Sequence, residues 1–162
     1  MIDEDGFRLN VGIVICNAAG ELFWGKRFGR MGGWQFPQGG INEGETEREA
    51  MFRELKEEVG LDENHVEIIA ESEGWYKYYL PKRFRRYHVL PLCVGQKQRW
   101  YLLRLTAEDS MLRLDLGPKP EFVTWRWVDY WYPAQKIILF KRQVYKDVLK
   151  EFETCLFPNS ER

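Results

Sequence analysis

Apolar side chains recur along the chain with two different periods, and the switches between them mark its elements. Residues 11–16 form a short, nearly unbroken apolar run closed by Asn17, Ala18, Ala19 and Gly20, which predicts a buried strand and a turn. Residues 22–24 supply the returning strand. Residues 66–69, 75–80 and 99–105 read as further strands, and residues 122–128 as one with large side chains on both faces. At residues 47–59 the period becomes helical: Met51, Phe52, Leu55 and Val59 share an arc of roughly 100°, assigned to the core. Pro133 opens a helical C-terminal segment in which Val144, Val148 and Phe152 form an i, i+4, i+8 packing stripe. Strands interleaved with a few helices predict an α/β fold, a mixed sheet between helices, in a single domain over residues 1–162.

Composition supports that reading and removes several alternatives. The 162 residues suffice for one sizeable core and are too few for two ordinary domains. Hydrophobic residues make up 44% and aromatics 15%, against a disordered chain. No apolar run approaches the ~20 residues of a membrane span, so no membrane partner is expected. The acidic start, Met1-Ile2-Asp3-Glu4-Asp5, lacks a signal-peptide apolar stretch. Cys16, Cys93 and Cys155 are odd in number and widely spaced, which reads as reduced thiols in a cytoplasmic protein. His65 and His88 are isolated, so neither a zinc site nor a Ser-His-Asp triad is suggested.

Charge changes the picture more. Residues 1–73 hold 7 Lys+Arg against 16 Asp+Glu, whereas residues 74–162 hold 17 against 9. We read the acidic half as offering a metal site and the basic half as offering phosphate contacts, meeting in one cleft.

The acidic half concentrates its chemistry on the helix at residues 47–59. Thr46 with Glu49 three residues on is a capping box, placing the first turn at Glu47, and Gly60 is a suitable stop, giving a helix of about thirteen residues. Glu54, Glu57 and Glu58 fall on one arc beside the apolar one, while Arg53, Lys56 and Glu49 fall on the solvated side. Three carboxylates on one face repel one another unless something offsets the charge. A hard divalent cation does so, because Mg²⁺ prefers carboxylate, water and phosphate oxygens. A solvated acidic face balanced by Arg48, Arg53 and Lys56 is the plain alternative. Upstream, Gly39 and Gly40 follow Phe36-Pro37-Gln38, so a strand should end there and a tight loop should lead into the helix.

The spacing over residues 39–61 decides between the two readings. Gly39-x5-Glu45-x7-Arg53-Glu54-Leu55-x-Glu57-Glu58-x-Gly60-Leu61 resembles the Nudix box, the signature of hydrolases that cleave a nucleoside diphosphate linked to another group. The resemblance implies an α/β/α sandwich, a metal site formed by Gly39, Glu54, Glu57 and Glu58, and a Glu45–Arg53 pair holding loop to helix. The cofactor it implies is Mg²⁺, with Mn²⁺ or another divalent metal able to replace it.

Nearly the whole chain is also similar to the bacterial RNA pyrophosphohydrolases, also described as dinucleoside polyphosphate hydrolases. The matching stretches are residues 8–17, 34–41, 80–83, 95–100, 120–122, 125–128 and 140–142. Its loop at Met31-Gly32-Gly33 is longer and richer in glycine than the group's. The resemblance implies an enzyme that converts 5′-triphosphate RNA ends to 5′-monophosphates and promotes mRNA decay. Glu121 becomes a fourth acidic catalytic and metal residue, although alone it reads equally well as a surface glutamate. Arg8, Arg27, Gln96, Phe140 and Lys141, with Tyr78, become candidates for the 5′ end or its neighbouring base. Two alternatives stay open: a dinucleoside polyphosphate hydrolase with the same catalysis, and a silent Nudix module that only binds nucleotide or RNA. Protein partners are not indicated.

Overall fold

The computed structural model describes residues 1–29 and 32–157, so Met31 of the glycine-rich loop lies outside the described residues. Its elements in chain order are β1 (Phe7–Cys16), β2 (Leu22–Arg27), β3 (Trp34–Gln35), β4 (Gln38–Gly40), α1 (Glu47–Val59), β5 (Val66–Glu71) and β6 (Tyr76–Tyr79). They continue with β7 (Gly95–Leu105), β8 (Phe122–Val128), α2 (Tyr132–Lys136) and α3 (Arg142–Leu156).

The sheet is mixed. β1 and β7 run parallel from Phe7 opposite Gly95 to Cys16 opposite Arg104. The remaining pairings of named strands, among the described residues, are antiparallel, with β3, β2, β1, β7 and β5 in order across the sheet and β4, β6 and β8 on β1, β7 and β2. Strand alternation divides the apolar residues between two layers. Val11, Ile13 and Ile15 of β1, Phe23 of β2 and Tyr101, Leu103 and Leu105 of β7 pack with Met51, Leu55 and Val59 of α1. Val14, Leu22, Trp24, Trp100 and Leu102 face the other way, onto Val144, Tyr145, Val148 and Phe152 of α3. The expected α/β/α sandwich is what forms. Each fully buried aliphatic side chain contributes about 1.5–3 kcal/mol, and both helices are held chiefly this way.

Three local expectations are revised. Residues 36–38 do not end the strand in a loop: the chain changes partners. Pro37 has no N–H to give, so pairing with β2 stops at Gln35, the Pro37 carbonyl accepts the N–H of Ile13 at 2.9 Å, and β4 pairs with β1. The C-terminal segment is not continuous. Ile137 leaves the helix at φ −64°, ψ 150° and buries its side chain, so α2 is one short turn and α3 begins at Arg142. β7 starts at Gly95, earlier than its apolar run, because parallel pairing with β1 holds the polar stretch.

One contact ties the layers together. Tyr145 of α3 is fully buried, stacks on Phe36 with ring centroids 4.7 Å apart, and accepts the Phe36 N–H on its hydroxyl at 3.1 Å. No helix among the described residues is long and apolar enough to cross a membrane. Cys16 is buried, Cys93 half-buried and Cys155 exposed, each as a free thiol.

Candidate active site

α1 forms where its caps allow. Thr46 accepts the Glu49 N–H at 3.1 Å and Glu49 accepts the Thr46 N–H at 3.0 Å, completing the capping box. Gly60 ends the helix at φ 73°, a conformation that strains any residue with a Cβ. Between these ends the acidic arc is not a solvated face. Glu54 and Glu58 are only 9% and 6% exposed, whereas the Glu57 side chain is 43% exposed.

The partner strand explains how the two buried carboxylates fit. Gly39 of β4 lies so close that a Cβ there would stand 2.0 Å from the Glu54 carboxyl carbon. Its neighbour Gln38 donates its N–H to Glu58 Oε2 at 3.3 Å. Arg53, expected on the solvated side, is instead folded inward. Its guanidinium donates to both Glu45 oxygens at 2.7 and 2.9 Å, to the Gly40 carbonyl at 2.7 Å, to Glu54 at 2.7 Å and to Glu57 at 3.4 Å. The planar five-donor fork suits that many acceptors, and the loop over residues 40–45 encloses a helix face that periodicity alone leaves open. The hydrogen bond from Arg53 holds the Glu45 carboxyl below the usual range.

Burial pushes the Glu58 carboxyl well above the ordinary carboxylate range, and the charges of Glu54 and Glu121 push it further. Glu54 is raised by burial too, with Arg53 opposing. These are the hard oxygen donors a divalent cation takes, held in a mutual repulsion that a cation relieves. Among the described residues no group of three His, Cys, Asp or Glu side chains stands close enough to hold a metal ion as arranged. Arg53 draws Glu54 and Glu57 to one side, and Arg27 holds Glu121 at 3.2 Å on the other. The donor chemistry and the glycine cradle fit such an ion.

A test of this charge balance is the stability of the metal-free protein. A carboxyl raised on folding adds stability that is full below its unfolded pKa and is lost as pH rises through the folded one. Melts in chelator should therefore show wild-type stability falling, relative to Glu58→Gln, as pH climbs above the ordinary carboxylate range. Parallel curves would show that Glu58 is not under this strain.

Beside the carboxylates opens a cavity of about 600 Å³, reached across Gln38, which lines it. Phe140 walls it and packs against Tyr78 and Phe84 at centroid distances of 5.6 and 5.8 Å. Lys141 is buried on its floor, donating to Gln35 Oε1 at 3.2 Å, and desolvation with the nearby Arg27 charge pushes its ammonium down to about 8. Arg27 and Gln96 also line it. Tyr78, itself buried, backs Phe140 with its ring and puts only a small surface into the space. Arg8 lies apart, its guanidinium over Gly40 and bordering an adjoining cavity. Gln35 and Gln38, and the place of Phe84 in the cavity wall, escaped the sequence reading. The signal for the first two was available: both are polar residues flanking Phe36-Pro37 within an otherwise apolar stretch.

Comparison with known proteins accords with this architecture. Over all 162 residues the chain is 56% identical to the RNA pyrophosphohydrolase of Vibrio vulnificus (strain YJ016), spanning 94% of that protein. The fold is similar to E. coli dihydroneopterin triphosphate pyrophosphohydrolase, with TM-score 0.66 and 19% identity over 90% of this chain and 98% of that one. It is also similar to a C. elegans Ap4A hydrolase in a binary complex, with TM-score 0.64 and 19% identity over 91% and 97%. At such identities the likeness shows the fold alone. The NUDIX domain matches residues 6–151, nearly the whole chain, and the protein belongs to the Nudix family.

Proposed function

We propose that the protein is a Mg²⁺-dependent RNA pyrophosphohydrolase that converts 5′-triphosphate RNA ends to 5′-monophosphates, releasing pyrophosphate or phosphate in steps, and so promotes mRNA decay. The full-length 56% identity to an RNA pyrophosphohydrolase carries this reading. The cavity beside the carboxylates supports it, having an aromatic wall for a base and cationic groups for phosphates.

Glu54, Glu57 and Glu58 would hold the cation, with Gly39 beside them and Glu121 assisting. When bound, the ion neutralises polyphosphate charge, polarises the phosphoryl group and makes water a better nucleophile. One of the glutamates takes the proton from the attacking water. Arg27 and Lys141 offset charge on the polyphosphate, whose negative charge in turn favours the ammonium form of Lys141 that burial disfavours. Phe140, braced by Tyr78 and Phe84, presents a fixed face on which a splayed base stacks. The three free thiols fit a reducing cytoplasm.

The test is a side-by-side kinetic comparison under one Mg²⁺ and salt condition. Triphosphorylated oligoribonucleotide should show a higher kcat/KM than diadenosine tetraphosphate. A preference of tenfold or more for the dinucleotide would make the protein a dinucleoside polyphosphate hydrolase, and no hydrolysis of either would leave a binding module.

A further inference from the structure

A second cavity of about 410 Å³ adjoins the first and shares Leu80, Phe84, Arg86 and Gln96 with it, so the two form one groove with two chambers. Ile2, Arg8 and Val89 belong to the second chamber only. We infer that this second chamber is a nucleotide subsite that takes the neighbouring nucleotide of a single-stranded RNA whose other base lies in the first. The inference rests on the RNA reading above.

Three observations carry it. The first is charge. Arg83 lies over the Phe84 ring at 4.7 Å and Arg85 donates to the Leu80 carbonyl at 3.0 Å, so both are engaged locally. Arg8 and Arg86 are exposed, and neither forms a salt bridge among the described residues. Two uncompensated guanidinium groups therefore border the groove, as a phosphate backbone requires. The second is the platform. Phe84 is 41% exposed, serves both chambers and is backed by Phe140. The third is Gln96, whose side-chain carbonyl oxygen is buried with no hydrogen-bond partner in the protein. Gln96 lines the wall common to both chambers, and turning its amide toward the groove would bring that acceptor to the exocyclic amino group of a base. A single ring between the chambers suits bases joined by one phosphate. The two bases of a dinucleoside polyphosphate are separated by the whole phosphate chain.

The test is binding, in the Glu57→Gln protein so that ligand is not consumed, of 5′-triphosphorylated RNAs one to four nucleotides long. Val89→Trp fills the second chamber from an exposed loop position. Affinity in the parent should rise at least tenfold on the extension that enters this chamber, and Val89→Trp should erase that rise, read as the affinity ratio of longer to shorter RNA within each variant. Cys93 reports independently, because it lines the second chamber only. With Cys155 changed to Ser, alkylation of Cys93 by N-ethylmaleimide should be slowed by the longer RNA and not by the shorter. An unchanged length gain in Val89→Trp, or Cys93 protection by diadenosine tetraphosphate instead of RNA, would overturn the inference. Failure of the parent function appears elsewhere, as absent hydrolysis of triphosphorylated RNA by wild type, and leaves the binding outcomes readable.

Discussion

Glu58→Gln is expected to lower turnover of triphosphorylated RNA by about 10²–10³-fold or more while raising the melting temperature of the metal-free protein. The loss is of the size seen when a transition state loses a principal charge stabiliser. The gain follows from burial: Glu58 is 6% exposed and lies against Glu54, so an amide removes a desolvated, like-charged group and still donates a hydrogen bond. For a chain of this size each kcal/mol gained raises the midpoint by about 2–4 °C. Glu57→Gln should also lose turnover by a comparable factor with its melting temperature unchanged or slightly raised, because Glu57 is half-exposed and already leans on Arg53. Kinetics and thermal melts in chelator, run on both variants, separate the two effects. A Glu58→Gln protein that unfolds yet keeps near-normal activity per folded molecule would make the acidic face structural.

Gly39→Ala should cost about 10²-fold in turnover without unfolding the protein. The added Cβ would stand 2.0 Å from the Glu54 carboxyl carbon, closer than any real contact, so either the carboxylate turns away or β4 moves. Misplacing a reacting group by about 1 Å carries a loss of that order. Nothing in the hydrogen bonding of β4 to β1 requires glycine at this position, since Gly39 pairs with Val11 through its backbone. Circular dichroism should therefore show a native fold, and kcat should fall more than KM rises. Wild-type kinetics in the variant would mean that Glu54 has room the structure does not give it.

How far the sequence revealed these features depends on the range of the interactions. α1 was legible to the residue, because Thr46 and Glu49 cap its start from three positions apart and Gly60 closes its last turn onto Lys56, four positions back. The sandwich class followed from strands interleaved with helices, but β1 reads as an unbroken apolar run, so which of its residues face α1 and which face α3 emerged only from the sheet. The inward turn of Arg53 was not legible from period, since it depends on a loop closing over the helix. Only the resemblance to a known box suggested its partner. β4 was missed because it is glycine-rich and lacks alternation, and its pairing is with β1, far upstream. The break at Ile137 was hidden because an apolar residue leaving a helix to fill the core looks like one continuing it. The site cavity was the least legible part. Its lining comes from Arg27, Gln38, Tyr78, Gln96 and Phe140, brought together only by the sheet and the turn before α3.

The bond from Phe36 to the Tyr145 hydroxyl has a consequence for anyone recombining relatives of this chain. Two residues after Phe36, Gln38 gives its own N–H to Glu58, so the short stretch between them is fastened at one end to the C-terminal helix and at the other to the acidic one. The helices on opposite sides of the sheet are thus not interchangeable parts. A chimera that imports a C-terminal helix with Phe at position 145 would fold around the same stacked rings yet release the Phe36 amide, leaving a buried donor unmet. Crossover points for such hybrids therefore need to carry Phe36 and Tyr145 together as one inherited unit.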